Sequence, residues 1–265
     1  MRAMLFAIAC VVCAAACNRS DDKLASRVDA LEKRIDALEK RGPAAARPAP
    51  PRPDPNVTYY LPVVSGDSVR GPKDAKVTIV EAFDFACPYC ARSSPVVEQV
   101  MDKYKGQVRV VSKYYVVHPD TATLPALAAC AANEQGKAPE MEKAIWAAAW
   151  KLDPPPNFDA TKLGQASLEA AAKDIGMNLD KFRADMSGDA CKQTLTRQAK
   201  EVQAVGVNGT PWFFVNGRSY NGPRTADGFG AAIEAEIQKA DAALKTGVKP
   251  EDYYATLMAS AKKSL

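Results

Sequence analysis

Two cysteines separated by two residues, Cys87-Pro88-Tyr89-Cys90, carry the strongest chemical signal in the chain. A C-x-x-C that follows a strand and opens a helix suits thiol–disulfide exchange. Main-chain N–H groups at a helix N-terminus stabilise an anion, so a thiol held there ionises more readily. Its thiolate attacks a substrate disulfide, and the second cysteine, one turn away, resolves the mixed disulfide. Pro88 suits the first helical turn, where its missing N–H is not needed. A fixed disulfide or half a zinc site could use the same spacing. Zinc usually wants four Cys, His or carboxylate ligands. The chain has one histidine, His118, and no second C-x-x-C. Exchange is therefore the preferred reading, with no metal and no cofactor beyond the redox-active Cys87–Cys90 pair.

The surrounding residues supply the elements that must position this pair. Residues 76–83, KVTIVEAF, are β-branched with few breakers and predict a buried strand directly before the motif. A helix is expected from the motif to about Tyr104, and a second strand over 108–115. Residues 121–205 are Ala-rich and largely helical in pattern. A third strand, Thr210-Pro211-Trp212-Phe213-Phe214-Val215, runs into Asn216-Gly217, a strong hairpin turn signal. Arg218-Ser219-Tyr220 then returns, followed by helices at about 226–244 and 250–262. The expected fold is α/β, a sheet with helices inserted into it.

With these residues in place, the chain resembles the DsbA family of bacterial envelope disulfide oxidoreductases, within the thioredoxin superfamily. The resemblance rests on Phe83-Asp84-Phe85-Ala86-Cys87-Pro88-Tyr89-Cys90, on Pro95 in the following helix, on the helical block and on Gly209 to Gly217. It covers about residues 58–245 and implies a thioredoxin-like fold with an inserted helical domain. It also implies that Pro211 has a cis peptide bond and faces the cysteines. Thr210 would then lie beside Cys87, where its backbone can pair with an extended substrate chain. Glu81 stands six residues before Cys87, where the family often has a buried acid that could relay a proton to Cys90. Asp84 competes for that role, and a solvated strand-end charge is the plain alternative for either. His118 reads as structural. Tyr89, Trp212 and Phe213 could form an apolar rim for unfolded substrate, although core packing is preferred for Phe213 and Phe214. Cys130 and Cys191 are either a structural disulfide clamping the helical insert or two buried free thiols.

The N-terminus speaks to compartment. Residues 3–16 are apolar or small after Arg2, too short to span a bilayer and typical of a signal peptide over 1–16. Ala14-Ala15-Ala16-Cys17 resembles the bacterial lipobox, which implies acylation of Cys17 and a lipid anchor to a membrane. Ordinary cleavage near Ala16 is the alternative. Of seven cysteines, Cys10 and Cys13 leave with the signal and Cys17 carries lipid, so four remain. An even number suits an oxidising compartment, and export to the cell envelope or periplasm is expected.

Residues 28–34, VDALEKR, and 35–41, IDALEKR, form a heptad repeat. Leu24, Val28, Leu31, Ile35 and Leu38 make one apolar stripe within the 17–41 stalk. β-branched residues at one seam position with leucine at the other favour a parallel dimer. Arg27 and Arg34 can meet Glu32 and Glu39 of a partner helix, so self-association through residues 24–41 is one expectation and a single solvated helix the other. Residues 42–56 hold six prolines and read as an extended spacer. At about 3.1 Å per residue, such a spacer reaches roughly 45 Å. Residues 57–265 form the globular domain, with its helical insertion at about 121–205.

Composition sets the outer bounds. The 265 residues are 47% hydrophobic and 25% charged, which excludes a wholly disordered, collagenous or multi-span membrane protein. Thirty-five Lys+Arg against 31 Asp+Glu leave +4, too mild to make nucleic acid the default partner. The expected partners are cysteine-containing secreted or envelope proteins and a membrane redox protein for recycling. The direction of exchange stays open between a disulfide donor and an oligomeric isomerase or reductase kept reduced. A redox-inactive, tethered binding module is the reading from a different class.

Overall fold

Strand β2 (Val77–Phe83) alternates its side chains between two cores, and that alternation explains the whole sheet. Ile79 points into one core with Val110 and Phe213, and Val80 and Ala82 point into the other with Val111 and Phe214. Every residue of β2 and of β3 (Val108–Tyr114) is buried, as expected of strands covered on both faces. The computed structural model describes residues 23–37, 51–153 and 156–265. The expected signal peptide, Cys17, both ends of the expected stalk (17–22 and 38–41) and the expected spacer up to residue 50 lie outside the described residues.

The sheet has five strands in the order β1-β3-β2-β6-β7, with β1 at Ser68–Arg70, β6 at Trp212–Val215 and β7 at Arg218–Ser219. β2 and β3 are parallel and the other pairs antiparallel. The parallel pair is joined by helix α2 (Pro88–Lys103), the crossover that parallel strands require. α2 and α8 (Ala226–Lys245) cover one face, their Val97, Val100, Phe229 and Ile233 packing with Ile79 and Phe213. The other face is covered by α7 (Asp189–Ala204), by α9 (Tyr253–Ala259) and by the segment around Tyr59 and Leu61. The Asn216-Gly217 turn forms as expected, with both residues at positive φ, 48° and 78°. At Gly217 a Cβ would meet the Tyr59 carbonyl oxygen at 2.8 Å, so a side chain there would displace the segment packed on the hairpin.

The helical insert comprises α3 (Pro119–Asn133), α4 (Ala138–Ala149), α5 (Gln165–Asp174), α6 (Leu179–Ser187) and α7. Its interior is built on the alanines of α3, whose small side chains let neighbouring helices approach closely. Cys130 in α3 and Cys191 in α7 are joined by a disulfide, with their Cα atoms 5.7 Å apart. The alternative of two free thiols is therefore excluded. The insert departs from the sequence expectation at a two-stranded ribbon, β4 (Trp150–Lys151) with β5 (Asn157–Phe158). Two-residue strands leave no periodicity in the sequence. Strand β1, three residues long, escapes sequence reading for the same reason.

The globular unit begins at Pro51, so the last six residues of the expected spacer belong to it. Pro53 is buried, and Arg218 donates to the Asn56 carbonyl at 2.7 Å. The helix over residues 23–37, α1, forms where the heptads predict it, and each of its residues is exposed.

Candidate active site

Cys87 is the N-cap of α2, the position where a Ser, Thr or Asp side chain would ordinarily satisfy free N–H groups of the first turn. A sulfur in that place meets the same partial positive charge. Pro88 is the first helical residue and Cys90 follows one turn on, buried. Both sulfurs are free thiols. The Cys87 pKa is pushed down to about 5. The largest cause is donation from the Cys90 thiol, with the main-chain N–H groups of Cys90 and Tyr89 adding to it against the cost of burial. Cys90 moves the opposite way, raised by burial and by the neighbouring Cys87 sulfur. The pair thus holds one thiolate and one retained proton, the division of labour that nucleophile and resolving thiol require.

The second half of the site comes from more than a hundred residues downstream. Thr210–Pro211 is a cis peptide bond at the start of β6. The Thr210 carbonyl oxygen lies 3.4 Å from Cys87 Sγ and accepts from the thiol. The antiparallel register of β6 on β2, with Ala82 opposite Trp212, brings this loop to the motif. The Thr210 hydroxyl is buried without a hydrogen-bond partner among the described residues. Trp212 is half-buried and donates from Nε1 to Ser219 Oγ at 3.1 Å, while Phe213 and Phe214 are core residues as preferred. Tyr89 is 60% exposed, as a rim residue should be.

The two competing acids separate cleanly. Asp84 is buried, and its oxygens accept from the main-chain N–H groups of Ala86 at 2.7 Å, Val117 at 2.7 Å and His118 at 2.8 Å. It ties the loop before Cys87 to the loop after β3, which is a positioning role. His118 is the N-cap residue of α3, its half-exposed ring 3.3 Å from Asp84, in keeping with a structural part. Glu81 is 5% exposed, and its pKa is raised to about 8. Burial is the main cause; Glu142 and Glu98 add to it, while Arg70 and Arg224 oppose it. Glu81 lines a cavity of about 250 Å³ together with Ala91, Ser94 and Pro95 of α2 and with Arg70 and Glu142. An acid that titrates near neutrality beside the redox helix can give or take a proton.

Residues that the sequence did not announce hold the motif in place. Trp150 of the ribbon donates from Nε1 to the Phe85 carbonyl at 2.9 Å. Phe85 also packs on Trp146, ring centroids 4.9 Å apart, and Phe83 on Tyr114 at 5.5 Å. The Tyr114 hydroxyl donates to buried Glu142 at 2.7 Å, and Arg70 is paired with Glu98. A tryptophan ending a helix is too common a sight to be singled out without its partner. Among the described residues no group of His, Cys, Asp and Glu could hold a metal ion.

Comparison with known proteins agrees with this geometry. The family model described as Thioredoxin matches residues 64–235, most of the globular unit. The chain belongs to the thioredoxin family. The fold is also that of a thioredoxin-like oxidoreductase from Silicibacter pomeroyi, at 23% identity and a TM-score of 0.53, covering 70% of this chain and 95% of that one. Oxidised BdbD from Bacillus subtilis is similar at 21% identity and a TM-score of 0.57, over 69% of this chain and 98% of that one. The thiol-disulfide exchange protein α-DsbA2 from Wolbachia pipientis gives 16% identity and a TM-score of 0.55, over 64% and 87%. Family and fold agree on a thioredoxin-like scaffold.

A curated relative carries a different name. A Na(+)/H(+) antiporter NhaA 3 from Salinispora tropica is 36% identical over 191 residues, which are 70% of this chain and 27% of that protein. The chain thus spans about a quarter of the length of that relative. Among the described residues no helix is long and apolar enough to cross a membrane.

Proposed function

We propose that this protein is a thiol–disulfide oxidoreductase that exchanges disulfides with cysteine-containing secreted or envelope proteins through Cys87 and Cys90. The observation that carries the reading is the free Cys87 sulfur at the N-terminus of α2, 3.4 Å from the Thr210 carbonyl beside cis-Pro211. In the oxidising direction a substrate thiolate attacks Cys87 and breaks the Cys87–Cys90 bond. Cys90 leaves, takes up a proton and stays buried. A second substrate thiol then attacks the mixed disulfide and expels Cys87 as its favoured thiolate. Glu81 is the group we assign to giving Cys90 its proton and taking it back.

The thiolate also bears on direction. Low-pKa first cysteines make their disulfides strong oxidants, from about pKa 3.5 and −120 mV in DsbA to about pKa 7 and −270 mV in thioredoxin. A Cys87 pKa of about 5 lies between these, so the thiolate leaves open whether the pair donates disulfides and is recharged by a membrane redox partner or is kept reduced. Equilibration of the pair with glutathione tests the reading. A potential near about −120 mV, together with oxidation of a reduced dithiol peptide that Cys87→Ala abolishes, supports a disulfide donor. A value well below about −200 mV would move the protein to the isomerase or reductase side. Activity unchanged by Cys87→Ala would leave only a tethered binding module.

Two further parts of the reading concern location and assembly. Export with acylation at Cys17 places the globular unit on a membrane at the end of its stalk and spacer, and mass spectrometry of the mature N-terminus tests it. Self-association through residues 24–41 is supported by α1, where Leu24, Val28, Leu31 and Ile35 are all exposed on one stripe. Sedimentation equilibrium of the full chain and of Leu31→Glu tests it, and a monomer at high concentration would sink it.

A further inference from the structure

The globular unit contains eight arginines, and their partners divide them sharply. Arg70, Arg183, Arg197 and Arg218 are each paired with a carboxylate. Arg109 is buried against Thr78 and the Lys73 carbonyl. The remaining three, Arg52, Arg92 and Arg224, are exposed and form no ion pair among the described residues. All three lie at the redox site. Arg52 and Arg224 line a cavity of about 370 Å³ with Thr210, Pro211, Trp212 and Asn221, and no carboxylate lines it. Arg92 sits 5.7 Å over the ring of Tyr89, the residue between the two cysteines.

We propose that this face selects polypeptide segments with acidic side chains next to their cysteine, with Arg52, Arg92 and Arg224 as the specificity-determining residues. The proposal rests on the redox reading above and adds the substrate class. Arg224 is held in place for such a role. Its Nη2 donates to the Pro211 carbonyl at 3.0 Å, and its guanidinium lies 6.0 Å from the Phe213 ring. A cation fixed before binding loses less freedom when an anion arrives. Asp84 is committed to main-chain N–H groups, and Glu81 is buried and raised toward neutrality. Uncompensated charge of one sign around a site steers oppositely charged segments to it and raises their association rate.

The test uses the reduced full chain and three peptides identical but for aspartate, serine or lysine on both sides of one cysteine. Each peptide carries thionitrobenzoate in a mixed disulfide. The Cys87 thiolate attacks the peptide sulfur, that S–S bond breaks, and thionitrobenzoate leaves with the electron pair. Cys90 then attacks Cys87, giving up its proton. The Cys87–Cys90 disulfide forms and the peptide departs as a thiol. Two electrons pass from the pair to the peptide disulfide. At low ionic strength the aspartate peptide should release thionitrobenzoate about fivefold or more faster than the lysine peptide, with serine between. The gap should shrink at high salt, where exposed charges are screened. The doubly substituted Arg52→Glu/Arg92→Glu chain should reverse the order, its serine-peptide rate showing that the site is still formed. Equal rates for aspartate and lysine peptides, or a preference that salt and the double substitution leave unchanged, overturn this proposal alone. No reaction with any peptide overturns the redox reading and this proposal with it.

Discussion

Removing the Cys90 thiol should raise the Cys87 pKa by a defined amount, and the size of the rise tests why Cys87 is acidic. In the folded protein the pKa is about 5, with donation from Cys90 as the largest cause. A hydrogen bond to a charged group contributes about 1.5–3 kcal/mol. At about 1.36 kcal/mol per pH unit, its loss in Cys90→Ala moves the midpoint up by about 1–2 units. The helix N–H groups remain, so the value does not return to that of an ordinary thiol. Cys90→Ser keeps an O–H donor and should shift the midpoint by less than about half as much. The assay is the pH dependence of iodoacetamide alkylation of Cys87, read by mass spectrometry. Cys130 and Cys191 do not interfere because they are bonded to each other. A Cys90→Ala midpoint equal to wild type would refute the reasoning, and so would equal shifts in the Ala and Ser variants. The sign for stability follows. A depressed folded pKa stabilises the reduced protein fully above the ordinary thiol range, and that stabilisation is lost as pH falls through about 5.

Three other outcomes are expected. The Cys130–Cys191 bond spans 61 residues of sequence, and loop closure of that size contributes about 4 kcal/mol. Urea unfolding of Cys130→Ala/Cys191→Ala should show a loss of that order, and a loss below about 1 kcal/mol would exclude the clamp. Burial raises the Glu81 pKa to about 8, so its ionisation costs stability increasingly from the ordinary carboxylate range up to that pH. Glu81→Gln should therefore raise the melting temperature at pH 8 but not at pH 4, and should slow release of mixed disulfides. An unchanged melting temperature at pH 8 would count against a buried, titrating acid. Lys113 is fully buried between Asp67 and Glu201, each at 2.7 Å. Lys113→Met removes the buried one of the two cations those carboxylates share, the other being Arg197, and should cost about 3–5 kcal/mol in denaturant unfolding. A loss under about 1 kcal/mol would show that Arg197 alone compensates Asp67.

Much of this protein is legible along the chain because its signals are local. The C-x-x-C, Pro88 at the first helical turn, the β-branched run of β2 and the Asn216-Gly217 hairpin each depend on a few neighbouring residues. The heptads of α1 are equally local, a stripe written at fixed spacing. These were enough to propose thiol–disulfide exchange at Cys87 and Cys90 and to order β2, α2, β3, β6, β7 and α8, and the resemblance they carried pointed to Thr210 and Pro211. Tertiary structure decided what depends on distant partners. It joined Cys130 to Cys191, where the sequence left two free thiols equally open. It made Asp84 a loop anchor by bringing it to the N–H groups of Val117 and His118, and it buried Glu81 beside Arg70 and Glu142. It also placed Trp150 on the Phe85 carbonyl and left Arg52, Arg92 and Arg224 exposed and without carboxylate partners among the described residues. The reason is physical. Helix and turn preferences act over one or two turns of chain, whereas the burial, pairing and ionisation of a side chain depend on neighbours that only the folded sheet brings together.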